Sequence, residues 1–301
     1  MTERSPTKAA SNVEDERLAK ATRTIRIGRC RGTDLAAAED QVAIEEPLEF
    51  RVAEVKEGLT LSQGIAITMR TPGADEELAL GFLYTEGVIS NRDCVAAIGH
   101  PRDQDGEPAC NVITVTLAEG VAFDAARLTR HVFTSSSCGI CGKMTIDQVR
   151  QSCLTPPAVG ATFEANLFPT LPAKLRQGQE VFRTTGGLHA AALFDREGNL
   201  LRVREDVGRH NAVDKLIGSM LRAGTLHHPG HLLLVSGRAS FELVQKAILA
   251  GIPAMAAIGA PSSLAAELAR EFGMLLIGFL HGEGFNVYSG EEKLILTGAK
   301  P

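Results

Sequence analysis

The sequence predicts an α/β protein in which a smaller N-terminal α+β domain precedes a three-layer domain built on a mainly parallel sheet. Three observations carry this expectation. Apolar residues alternate with polar ones in the first half, at Leu48, Phe50 and Val52, at Ile65, Ile67 and Met69, and at Ile113, Val115 and Leu117, as in half-buried antiparallel strands. In the second half the apolar runs become continuous, over 231–235, 252–258 and 274–280, which means burial on both faces. Those runs are separated by helical stretches over 241–250 and 263–272, each followed by Gly, and strands alternating with helices imply a sheet covered on both sides.

The elements follow in order. Residues 1–22 are polar, charged and without period, so a disordered leader is expected. The small α+β domain is placed at 23–134. Within it Asp75, Glu76 and Glu77 form an acidic first turn, Leu78, Phe82 and Leu83 an apolar face and Gly87 a stop, which together predict one helix. A mobile loop is expected over 135–144, and the larger domain over 145–301. The larger domain contains a hairpin turning at 195–199 and a helix whose buried face is Val213, Leu216, Ile217, Met220 and Leu221, closed by Gly224.

Composition narrows the function classes. The chain has 301 residues and 44% hydrophobic content, enough for a full core in one large or two ordinary domains. A net charge of −5, from 31 basic and 36 acidic residues, argues against a duplex nucleic-acid partner. There is no run of 18 apolar residues and no signal-peptide apolar region at the N-terminus, so no membrane association and a cytoplasmic location are expected. The six cysteines should then be reduced. Four of them, Cys30, Cys94, Cys110 and Cys153, are isolated and read as small buried hydrophobes.

Cys138 and Cys141 differ, because they form a CxxC pair in the string Ser135-Ser136-Ser137-Cys138-Gly139-Ile140-Cys141-Gly142-Lys143. Three serines and two central glycines cannot pack a core, so the thiols are expected on an exposed arm. A structural zinc site needs a second pair of ligands, and none lies at the usual spacing, so no metal is assigned. A thioredoxin-like exchanger would place the pair at a helix start after a buried strand, whereas here it follows a polar serine run. What remains is a carrier, in which Cys138 accepts a sulfane sulfur and Cys141 attacks the persulfide to release it. Lys143 would favour the thiolate.

Two further groups stand out. Ligands of open α/β sheets bind at the carboxyl ends of strands, which here are Ser236-Gly237-Arg238, Gly259 to Ser263, and Phe279 to Gly284. Two of these run into helix N-termini, where anions such as a pyrophosphate are favoured. The second group combines Thr185-Gly186-Gly187-Leu188-His189-Ala190-Ala191 with Glu205-Asp206-Val207-Gly208-Arg209-His210-Asn211 and Asp214-Lys215, supplying several donors and two imidazoles. His189 in a His-Ala-Ala setting is similar to the His-x-Glu of zinc deaminases, but position 191 is Ala, so the proton-transferring Glu is missing.

The strings Ser137 to Lys143, Thr185 to Ala191, Glu205 to Lys215, Val235-Ser236-Gly237-Arg238 and Phe285-Asn286-Val287-Tyr288 together resemble the formate dehydrogenase accessory sulfurtransferase family, in the right order over roughly residues 40–290. The resemblance implies a cytidine-deaminase-like fold for the three-layer C-terminal domain, and a homodimer. It implies a sulfurtransferase that takes persulfide sulfur from a cysteine desulfurase and passes it to the Mo-bis(molybdopterin guanine dinucleotide) cofactor, the bound acceptor, before formate dehydrogenase receives it. On the same ground Cys138 is the persulfide residue and Cys141 the accessory thiol, and the cofactor segment falls on Phe279, Leu280, His281, Gly282, Glu283 and Gly284. Family members often carry arginine where this chain has His281 and Gly284, which implies contacts through backbone N–H groups there. A thiol-disulfide oxidoreductase and a non-catalytic chaperone for the molybdenum cofactor are the competing readings.

Overall fold

The computed structural model describes residues 18–56, 58–121, 123, 146, 149 and 160–296. A helical turn over Leu18–Ala21 leads into a two-stranded antiparallel ribbon, β1 (Thr22–Arg31) and β2 (Asp34–Ala43), so residues 18–22 of the expected leader belong to regular structure. The ribbon escapes a search for apolar alternation because β1 has Arg23, Arg26, Arg29 and Arg31 among its ten residues.

Next comes a four-stranded sheet of order β4-β3-β6-β5, formed by β3 (Glu46–Lys56), β4 (Leu59–Arg70), β5 (Val95–Gly99) and β6 (Val112–Leu117). The three strands read from alternation are present, but they are not all antiparallel. β6 returns to lie parallel to β3, because α1 (Asp75–Thr85) and β5 intervene between β4 and β6. A second correction concerns β4. A bulge where the partners of Phe50 and Arg51 jump from Ala66 to Gly64 sets Ala66 and Thr68 opposite the buried Phe50 and Leu48. Ile67 and Met69 therefore face outward, 72% and 46% exposed.

Helix α1 joins the two halves. Leu78, Leu80 and Leu83 pack against the small sheet's core of Leu48, Phe50, Val52, Ile113, Val115 and Leu117. Its other side lies on α4 (Arg209–Ala223), and the two helices cross at Gly81 and Gly218, where a Cβ on either would run into the partner's backbone.

A short strand β7 (Phe163–Glu164) pairs in parallel with β14 (Leu294–Ile295). The larger unit is a six-stranded sheet of order β13-β12-β11-β10-β8-β9. Its strands are β8 (His189–Phe194), β9 (Leu200–Asp206), β10 (Leu232–Val235), β11 (Ala254–Ala257), β12 (Leu275–His281) and β13 (Gly284–Ser289). Only β10, β11 and β12 run parallel; β8, β9 and β13 are antiparallel to their neighbours. The sheet is thus mixed rather than mainly parallel, because continuous apolar character reports burial on both faces and says nothing of strand direction.

Burial on both faces is real. Ala191, Leu193, Leu233, Val235, Met255 and Leu276 point to one core with α4, α5 (Phe241–Leu249) and α6 (Ser263–Glu271). The alternate residues Ala190, Ala192, Phe194, Leu232, Leu234 and Ile277 point to a second core under a 3-10 segment (Ala165–Thr170) and α2 (Leu171–Gly178). A short helix α3 (Glu180–Thr185) precedes β8. Three layers result, as the sequence predicts.

Candidate functional site: one edge of the six-stranded sheet

The strand ends singled out in the sequence meet along one edge, and backbone hydrogen bonds tie them into a row. The Phe279 N–H donates to Gly259 O (3.1 Å), and the Gly259 N–H donates to Gly237 O (2.9 Å). Ser236 donates its N–H to Ala190 O (3.0 Å), while its Oγ accepts the Ala190 N–H (2.9 Å). Because β8 is antiparallel to β10, the first residue of β8, His189, reaches the same edge, and its register partner Asp206 ends β9 there. Position 259 is tight: a Cβ there would lie 3.0 Å from Arg238 Cγ and 3.1 Å from Gly237 O, so the neighbouring strand end would have to give way by a few tenths of an ångström.

At one end of the edge, the segment Phe279 to Gly284 is a strand end plus hairpin turn rather than an entry to a helix, since Gly282 and Glu283 connect β12 to β13. Phe279 has φ 52° and is 47% exposed, and a bulky residue in the left-handed region is strained. Leu280 is buried in the second core, so it can offer a ligand only its backbone. His281, Gly282 and Glu283 are exposed, and His281 Nδ1 accepts the Glu283 N–H (3.2 Å).

At the other end lie the two imidazoles. The His189 ring rests beside Gly237, where a Cβ would come 3.5 Å from its Nδ1, and makes no hydrogen bond to a described residue. Burial, then the charges of Arg209 and His210, push its pKa down, so the imidazole is neutral at pH 7. His210 Nε2 stands 3.8 Å from Glu242 Oε2. The His210 imidazole beside it, against opposing burial, holds the Glu242 carboxyl down to about 2. Glu242 belongs to none of the motifs of the sequence, and its one signal there is the run Arg238-Ala239-Ser240-Phe241-Glu242 at a helix start.

The long string from Glu205 to Lys215 divides sharply. Most of its polar residues bind the two halves of the molecule together. Glu205 accepts the Val181 and Phe182 N–H groups at the start of α3. Asp206 accepts the Thr71 N–H (3.2 Å) and pairs with Lys215 (2.7 Å), both side chains being buried. Lys215 also donates to Thr71 O (2.8 Å); burial lowers its pKa although Asp206 opposes this. Asn211 donates to Met69 O (2.8 Å), and Asp214 accepts from Thr85 (3.1 Å) and from Lys246 (2.8 Å). Burial works against the charge of Lys246, but Asp214 and Glu86 raise its pKa overall. Only Arg209 and His210 are left to the edge.

Cys138 and Cys141 lie outside the described residues. Among the described cysteines, Cys30 and Cys110 are exposed and Cys94 is half-buried, so the expectation of buried hydrophobes is corrected for all three. Cys30 sits on the ribbon, which has no core of its own. Among the described residues, no three His, Cys, Asp or Glu are grouped to hold a metal ion, and no helix is long and apolar enough to cross a membrane.

With this geometry in place, comparison with known proteins is informative. The FdhD/NarQ family model matches residues 43–295. The chain belongs to the FdhD/NarQ family. It is 47% identical over 289 residues to the sulfur carrier protein FdhD of Streptomyces avermitilis, covering 94% of this chain and 99% of that protein. It is 49% identical over 261 residues to the sulfur carrier protein FdhD of Nocardia farcinica, covering 85% and 88%. Among solved structures, a putative formate dehydrogenase accessory protein from Desulfotalea psychrophila superimposes with a TM-score of 0.68 at 22% identity, over 91% of this chain and all of that one, which shows the shared fold. The FdhD/NarQ match begins inside the β1–β2 ribbon and spans both sheets.

Proposed function

We propose that the protein is a sulfur carrier that receives persulfide sulfur and delivers it to a bis(molybdopterin guanine dinucleotide) cofactor during formate dehydrogenase maturation. The observation that carries this reading is near-full-length identity of 47–49% to sulfur carrier proteins FdhD, together with a CxxC pair in this chain. The Cys138 thiolate attacks the outer sulfur of a cysteine desulfurase persulfide. A new S–S bond forms, the donor's S–S bond breaks, and the donor leaves as a thiolate. Delivery follows when the Cys141 thiolate attacks Cys138 Sγ: a Cys138–Cys141 disulfide forms, and the outer sulfur departs as sulfide to the acceptor. Two electrons have passed from the thiols to the sulfur, so a dithiol reductant must restore the pair.

The acceptor is held at the edge described above. An anionic dinucleotide suits a row of strand ends flanked by the N-termini of α5 and α6, and Phe279 to Gly284 offer it backbone groups and an exposed ring. The three-layer domain is a cytidine-deaminase-like fold put to another use, with Ala191 where a deaminase carrying its His at 189 would need Glu. The working unit is a homodimer, its sulfur donor is a cysteine desulfurase and its client formate dehydrogenase, and it acts in the cytoplasm.

The test is to incubate the full chain with a cysteine desulfurase and 35S-cysteine and map the label by peptide mass. A single added sulfur on Cys138, lost in Cys138→Ser, is expected. Label confined to another cysteine, or none while formate dehydrogenase still matures, refutes carriage by Cys138 and favours a chaperone.

A further inference from the structure

The ribbon of β1 and β2 stands away from the rest of the fold. None of its twenty strand residues is buried, and among the described residues it is anchored at its root, where Ala43 packs with Ala21, Val181 and Leu188. A two-stranded ribbon with no further strand or helix over it is at best marginally stable in water. Yet ten residue pairs run in unbroken register, from Thr22 with Ala43 to Arg31 with Asp34, so a cover from outside the subunit is called for.

The two faces differ, because directly paired residues share a face. The face that carries Ala43 is turned to the body at the root, sets its two charges, Arg26 and Glu39, directly opposite each other, and has Leu35 lying over Gly28, where a Cβ would come 3.0 Å from Leu35 Cδ1. The other face looks away from the body at the root. Its middle is the uncharged pair Ile27 and Ala38, both partly shielded, while its charges lie at separate levels. From root to tip these are Arg23, then Asp40 opposite Ile25, then, past the middle, Arg29 opposite Ala36, and last Arg31 opposite Asp34. None of these five forms an ion pair with a described residue; Arg29 makes only a long hydrogen bond to Glu39 O (3.5 Å), and Asp40 accepts the Gln41 N–H (3.0 Å). The face is therefore complementary to itself. Turning a second copy end for end about the Ile27 and Ala38 pair sets Arg29 of each chain against Asp40 of the other, brings Asp34 between Arg23 and Arg31, and lays one apolar middle on the other.

We propose that this face of the ribbon docks on the same face of a second copy of the chain, the two ribbons lying end for end across a two-fold axis. A two-fold interface uses one patch twice and so requires the patch to match itself, whereas nothing would make a patch that binds a different protein match its own sequence. Opposite charges on either side of an apolar centre also fix the register in which the ribbons meet. The inference rests on the reading that the working unit is a homodimer, and it adds which surface joins the subunits.

Sedimentation velocity on the full chain, over a concentration series, tests it. The parent is expected to dimerise. Arg29→Glu sets carboxylates against each other at both ends of the axis and should weaken dimerisation at least tenfold, and Asp40→Arg, which opposes cations there, should do the same. Combining Arg29→Glu with Asp40→Arg restores opposite signs and should recover the dimer, which a mere loss of ribbon structure would not do. Arg196→Glu, on the exposed turn of the larger sheet's hairpin, should change nothing. A parent that stays monomeric at every concentration overturns the homodimer reading and this interface with it. A dimeric parent whose two single variants dimerise within twofold of it overturns the ribbon interface alone, as does a double variant no tighter than the single ones. Where the dimer is unchanged but Arg29→Glu loses loading by a cysteine desulfurase, the face belongs to the sulfur donor and the second copy is overturned as its occupant.

Discussion

Replacing Gly81 by Ala should be among the most damaging single-methyl changes in this protein. A Cβ at position 81 would overlap the Asp214 carbonyl oxygen and come 2.6 Å from its carbonyl carbon and 2.9 Å from the Gly218 nitrogen, where ordinary contact begins at 3.4 Å. All three atoms are backbone atoms of α4, so no side-chain rotation relieves the clash and the helices must part by roughly an ångström in a close-packed interior. Overpacking of this kind costs about 1–3 kcal/mol. Separation also stretches the hydrogen bonds that Asp214 accepts from Thr85 (3.1 Å) across the same seam, and a hydrogen bond to a charged group contributes about 1.5–3 kcal/mol. Together these give a loss of about 2.5–6 kcal/mol, a large fraction of ordinary domain stability. Urea unfolding at constant slope measures it through the midpoint. Gly99→Ala, where a Cβ meets nothing within 4 Å, is the control and should be neutral. If Gly81→Ala unfolds within 1 kcal/mol of the parent, the two helices are not held at this distance and the seam described above is wrong.

Other outcomes follow from the same contacts. Lys246→Met strands the buried Asp214 carboxylate and should lose about 3–5 kcal/mol in urea unfolding, whereas Lys246→Met combined with Asp214→Leu should lose less than the single variant. His231, 5% exposed, has its pKa pushed down to about 4 by burial and by His228 and Arg202. Its neutral form is the folded form, so its contribution is complete above pH 6.5 and is lost as pH falls from 6.5 to about 4, by up to about 3 kcal/mol. His231→Gln should flatten that part of the stability-pH curve, and an unchanged curve would refute the assignment. Phe279→Gly releases a left-handed backbone strain of about 1 kcal/mol and should leave the fold at least as stable, while weakening GDP binding in calorimetry if the ring supports the ligand.

Much of the fold was legible because apolar periodicity is a local property. The hairpin at 195–199, the helix closed by Gly224 and the three buried strands of the sheet all stand where their apolar spacing puts them. What the spacing does not contain is direction and partner. The antiparallel placing of β8 beside β10, the parallel return of β6 to β3 and the bulge that turns Ile67 outward depend on segments far apart in the chain. The β1–β2 ribbon was invisible for a different reason: with no core to cover, its sequence needs no apolar stripe. The strand-end segments were legible as one edge because a topological rule, rather than a local one, selected them.

The string from Glu205 to Lys215 shows why a specific sequence signature need not be a list of reacting groups. Its residue types are those of a catalytic or anion-binding cluster, yet Thr68, Thr71, Thr85 and Lys246 determine what Asn211, Asp206, Lys215 and Asp214 do, and none of those partners belongs to the string. Each buried ion also meets a partner on the opposite half of the molecule, Asp206 and Lys215 at Thr71 and Asp214 at Thr85, so changing one side chain leaves another unpaired. Such a string tolerates little substitution on packing grounds alone. Arg209 and His210 are the exceptions: neither bonds across to the other half of the molecule, and His210 stands beside Glu242 of α5 instead. A rigid seam anchored at Asp206, Asn211, Asp214 and Lys215 fixes the first turn of α4, and with it the direction in which those two side chains leave the helix. Seam-holding and edge-facing residues therefore alternate along a single turn, so charged residue types as a class do not mark where chemistry can enter.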